Sequence, residues 1–188
     1  MKTFARTGII AAVALAAAFS GCKKEDCPEP TPPPPPAQSL YNQVGGTTMV
    51  ADPNFPGTMI EQGYLSIRSV VDSSLMVVAA DPVLMPSFAV LLAELPGNTT
   101  GFTELSKNVT DFFAFNAGSA NHIYEGMSMH DTHNPTDNPR MTGLATNAQM
   151  DAFIADVVTG AQQNAVPDAI IAQFGALMES LRTTIVQG

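Results

Sequence analysis

The chain is poor in three kinds of residue, and each shortage excludes something. Its 188 residues include two cysteines, three histidines and eight basic side chains against seventeen acidic ones. Cys22 and Cys27 both lie near the N-terminus, so no disulfide framework staples the rest of the chain. The net charge of −9 argues against nucleic acid or an anionic membrane surface as a partner. Alternating runs of strand length are missing, which leaves a mostly helical reading. No serine nucleophile elbow, phosphate-cradling glycine loop or paired-carboxylate spacing occurs. Nothing of that kind marks the chain as an enzyme, and no internal repeat is found.

What is present begins with an export signal. Lys2 and Arg6 precede an apolar run from Gly8 to Phe19, closed by Ser20-Gly21-Cys22. Residues 1–21 read as a secretory signal peptide; a retained anchor is the alternative, although the run is short for a membrane span. Phe19-Ser20-Gly21-Cys22 resembles a bacterial lipobox, with phenylalanine where leucine is usual. That resemblance implies lipidation of Cys22, leaving Cys27 without an intrachain partner. Lys24-Glu25-Asp26 resembles the export tag of some Bacteroidetes-type surface lipoproteins; an ordinary solvated charge run is the other reading. Residues 22–38 contain Pro28, Pro30 and Pro32 to Pro36, a polyproline tether extending about 3.1 Å per residue. The expectation is a cell-envelope protein, an outer-membrane lipoprotein held by its lipid alone. Loss of residues 1–21 removes two bases and no acid, leaving six bases against seventeen acids and a net charge of −11.

Residues 39–188 suit one domain. Apolar residues from Met59 to Ala80 follow a helical pattern that stops at Asp81-Pro82, as a helix does before proline. Thr103 opens a second helix, with Leu105, Val109, Phe112 and Phe113 on one face; Asn116 and Gly118 end it. Thr146 and Gln149 fit a capping box ahead of Met150, Phe153, Ile154, Val157 and Val158. Pro167 and Asp168 take first-turn positions of the last helix, whose apolar face runs from Ile170 to Ile185.

The stretch Tyr124-Glu-Gly126-Met-Ser-Met129-His130-Asp-Thr-His133 stands out. Tyr-x-Gly-x-x-Met-x-x-x-His, between two apolar helices, resembles the proximal segment of truncated haemoglobins, group 1-like. Ser39-Leu40-Tyr41-x-x-Val44-Gly45-Gly46 resembles the family's opening, and Ala80-Asp81-Pro82-x-Leu84-x-Pro86-x-Phe88 its second turn. The resemblance implies an all-α, truncated globin-like helical sandwich binding haem b, with His133 as the proximal iron ligand. It places Phe88, Phe112, Phe113, Tyr124, Met129 and Phe153 around the porphyrin; Lys107 reads first as a solvated lysine, with a haem propionate, or the iron if the helix shifts, as its other contacts. It implies a diatomic gas ligand (O2, CO or NO), or electron transfer with a redox partner, and at most NO or peroxide chemistry.

The chain departs from the family at the distal face. The tyrosine and glutamine that usually donate hydrogen bonds to bound oxygen fall on Leu75 and Val109; a one-residue shift puts Asn108 in the second place. Residues 51–58 are an insertion, and Asn134-Pro135-Thr-Asp-Asn-Pro139 makes a longer, stiffer loop after His133, with Pro135 ending the proximal helix just beyond the ligand. His130 and His133, three apart, also suit a bare transition-metal site. His122 reads as a surface residue, and Met127 as packing. The second overall reading is a globin-shaped lipoprotein without haem, serving as a binding or structural module.

Overall fold

The computed structural model describes residues 37–188 apart from Pro96. The signal peptide, Cys22 and all but the last two tether residues lie outside the described residues.

The described chain is helical, with one short hairpin. Its elements are α1 (Leu40–Gln43), β1 (Met49–Ala51), β2 (Met59–Glu61), α2 (Gln62–Val78), α3 (Ala89–Glu94), α4 (Thr100–Asn116), α5 (Met129–Thr132), α6 (Asn147–Gln163), α7 (Asp168–Ser180) and α8 (Arg182–Ile185). The most extensive packing is between α2 and α6, followed by α2 with α4. The core between them contains Ile67, Val71 and Leu75 of α2, Phe113 and Ala114 of α4, Met150 and Val157 of α6, and Met178 of α7. The i, i+4 spacing of the α2 residues is that of one helix face.

Three boundaries differ from the sequence expectation. Met59–Glu61 is a strand, not the first turn of α2: Val50 pairs with Ile60 in an antiparallel ladder. The insertion is the loop of this hairpin. Asp52 accepts from the Asn54 amide at 2.9 Å and holds Arg68 of α2 at 2.9 Å. Three-residue strands are too short to show alternation, so the apolar run appeared continuous. Helix α4 starts at Thr100 because Asn98 accepts from the Thr100 amide at 2.9 Å. The last helix breaks at Leu181 into α7 and α8. The Thr146–Gln149 capping box forms in both directions, closing the N-terminus of α6. Among the described residues no helix is long and apolar enough to cross a membrane.

Candidate functional site

The site grows from the turn that holds Tyr124. The Tyr124 hydroxyl donates to the Met127 carbonyl at 2.8 Å, folding the ring over Gly126. A Cβ at Gly126 would lie 2.4 Å from that ring, so the Tyr-x-Gly part of the motif is a packing requirement. The ring meets Phe112 of α4 edge-on, centroids 5.2 Å apart. Ser128 then caps α5 by accepting from the Asp131 amide at 3.1 Å. The helix is a single turn. His133 is its C-cap rather than a residue within it, because Pro135 disfavours helical backbone at Asn134 and donates no amide.

That position sets the imidazole. His133 Nδ1 lies 2.7 Å from the Met129 carbonyl oxygen, which only accepts, so Nδ1 carries the proton. Nε2 keeps its lone pair and makes no hydrogen bond among the described residues. Burial holds the imidazole below the ordinary histidine range, against the opposing Met129 hydrogen bond. The group is thus a neutral imidazole, its tautomer fixed by a backbone carbonyl, as a metal-ligating histidine requires.

His133 lines a cavity of about 600 Å3, within the range of small-molecule and cofactor sites. Leu75, Phe88, Val109, Phe112, Phe113, Tyr124, Met129 and Phe153 line the same cavity, so elements far apart in sequence converge there. Both distal-register candidates reach it: Val109 half-buried and Asn108 exposed at the rim. Leu75 is only 4% exposed. Sequence reasoning missed Leu84, Leu91, Met150, Leu181 and Ile185 as lining residues, and also Asn138 and Arg140. Met150, Leu181 and Ile185 read as ordinary helix-face positions, Leu84 only as part of the turn before Phe88, and Leu91 lies outside every pattern. Arg140 lies in a loop without periodicity.

Lys107 is not among the lining residues. It turns along α4 to Asp111, 2.6 Å away, an i, i+4 pairing. His130 and His133 are not brought together as a metal pair. His130 instead bonds Asp131 at 3.0 Å, and these two with Asp137 form a group, half-buried at Asp131 and exposed at the other two, whose ligand atoms lie within 4.8 Å. His122 is not a free surface residue. It stacks on Tyr64 with centroids 4.0 Å apart, and its Nε2 lies 3.4 Å from Glu61.

No protein-family model matches the sequence, and no curated protein matches it. Solved structures do. Three variants of the truncated haemoglobin of Tetrahymena pyriformis, all in the Fe(III) form, superpose over 80% of this chain and 100% of their own. A tyrosine-to-phenylalanine variant gives a TM-score of 0.53 at 22% identity. Two glutamine-to-glutamate variants give 0.55 at 21% and 0.52 at 22%. At this identity the likeness establishes architecture: the described chain carries the truncated-globin fold.

Proposed function

We propose that the protein binds one haem b per chain through His133 and handles a diatomic gas or single electrons at the cell envelope. The observation that carries this reading is the fixed tautomer of His133, with an unengaged Nε2 on the wall of a large apolar cavity. The donor set fits the group: one neutral imidazole and aromatic rings from Phe88, Phe112, Phe113 and Tyr124, in a lining that is mostly apolar. When bound, haem supplies an iron with a position for O2, CO or NO, or a one-electron couple.

The chain's own residues then set selectivity. Met129 fixes the ring of His133 and raises its basicity as a ligand. The hydrocarbon walls of Leu75 and Val109 exclude water and donate no hydrogen bond. A ligand that draws negative charge on binding, such as O2, is therefore held less well than CO. Asn108 brings a side-chain amide to the exposed rim of the cavity. The signal and lipidated Cys22 would attach the protein to the outer membrane by lipid alone, with a redox partner as the further expected contact.

The test is an absorption spectrum of the full chain produced with haem supply. Wild type should show a Soret band. His133→Gly should lose or strongly shift it while helix content by circular dichroism is retained, and added imidazole should restore it. A Soret band unchanged in His133→Gly would overturn the ligand assignment, and a wild-type chain without a Soret band would leave the haem-free, globin-shaped binding module.

A further inference from the structure

We propose that Arg140, held across the cavity mouth by Glu94, is the receptor for the carboxylates of the bound porphyrin; this rests on the haem reading above. The argument starts from scarcity. Residues 37–188 contain fourteen acids and only four bases, so a dianionic porphyrin meets a repulsive surface. Three of the four bases are committed away from the cavity. Arg68 holds Asp52 at 2.9 Å, Lys107 holds Asp111 at 2.6 Å, and Arg182 holds Asp151 and Glu179 at 2.7 and 2.6 Å. None of the three lines the cavity. Arg140 does, and among the described residues it is the only cation that does.

Its placement fits the task. The side chain is 52% exposed while also lining the cavity, which puts the guanidinium at the opening. Nη1 donates to Glu94 Oε2 at 3.0 Å, and Nη2 lies 2.9 Å from Glu94 Oε1. A guanidinium has five N–H groups in a rigid fork. The Glu94 pair uses two, leaving three for a second carboxylate. Gly101 leaves room for the pair: a Cβ there would lie 2.5 Å from Glu94 Oε2 and 3.2 Å from Arg140 Nη1.

The pair is also tied to the iron ligand. The Arg140 amide donates to Asn138 Oδ1 at 3.1 Å, and Asn138 Nδ2 donates to the Thr132 carbonyl at 2.8 Å, one residue before His133. Thr142 Oγ1 donates to the Pro86 carbonyl at 2.7 Å, next to the segment that brings Phe88 to the cavity. The loop inserted after His133 is thus a strap over the opening, and Arg140 is its anion-binding element. Glu94 is a positioning residue that keeps the fork at the mouth.

The experiment loads the full chain with haemin or with haemin dimethyl ester, whose carboxylates are blocked, and follows loss of either to excess apomyoglobin at the Soret band. Arg140→Gln should lose haemin about three- to tenfold faster than wild type, a range limited by solvent screening of an exposed cation. Both proteins should lose the ester at the same rate. Arg140→Lys should fall between, since it keeps the charge but not the fork. Glu94→Gln should speed haemin loss but not ester loss. Equal effects of Arg140→Gln on haemin and ester, or none on either, would overturn the proposal while leaving His133 ligation standing. An ester-sensitive effect of Lys107→Gln instead would assign the carboxylates to Lys107 and overturn it as well. A wild-type chain that takes up no haemin overturns both readings.

Discussion

Two side chains, Leu75 and Val109, decide which gas the proposed site favours. Their hydrocarbon surfaces meet the cavity from α2 and α4, where a hydrogen-bond donor would stabilise a ligand that draws negative charge. A hydrogen bond to a charged partner is worth about 1.5–3 kcal/mol, or roughly one to two orders of magnitude in affinity. Installing Leu75→Tyr with Val109→Gln is expected to slow O2 release by at least about tenfold, with a smaller change for CO. Stopped-flow ligand replacement on the haem-loaded protein measures both. Native O2 release already as slow as in the double variant would mean that a donor acts there, and Asn108→Leu should then accelerate it.

Helix packing explains why the fold was easier to see than its details. The tight crossing of α2 and α6 depends on Gly160, where a Cβ would lie 2.2 Å from Ser74 Oγ. Further along the same pair, Asp156 of α6 is 8% exposed, and its Oδ2 is without a partner. Burial raises its carboxyl above the usual range, and the charge of the nearby Asp81, just beyond α2, raises it further. A folded-state value above the unfolded one stabilises the fold at pH below the unfolded value, near 3.9. That contribution is lost as pH rises through the folded value. Asp156→Asn keeps the shape, and its amide can donate to Asp81. It should raise Tm at neutral pH and lose that advantage as pH falls towards 4, followed by thermal unfolding at several pH values. Such a pair is invisible in sequence, because Asp81 and Asp156 are 75 positions apart. The apolar periodicity of α2, α4, α6 and α7 was legible because burial of one helix face dictates it residue by residue. The hairpin was not, since three residues per strand carry no period. Part of the cavity wall was legible through Tyr124, Gly126, Met129 and His133, whose spacing follows from one tight turn and one helical turn. Arg140 was not, because what makes it important is that every other base is paired elsewhere, and pairing is a property of the fold.

For the whole molecule, the proposed envelope location raises the question of how an acidic globin-fold domain would be held at a membrane. Residues 37–188 carry fourteen acids and four bases, which anionic headgroups repel, and none of their helices is long and apolar enough to cross a bilayer. The segment proposed to attach the protein is the N-terminal one, where Phe19-Ser20-Gly21-Cys22 and the proline run from Pro32 to Pro36 lie. A lipid on Cys22 would supply the anchor, and the proline-rich tether would hold the domain off the surface. Produced in a bacterial host with its own signal, the wild-type protein should partition into the detergent phase on Triton X-114 separation. Cys22→Ser should move it to the aqueous phase or leave it unprocessed. Cys27→Ser should leave partitioning unchanged, because it lies beyond the processing site. Mass spectrometry of the mature N-terminus decides between the two routes: a diacylglycerol-modified Cys22 supports the anchor, whereas a soluble product cleaved at another residue establishes plain secretion instead.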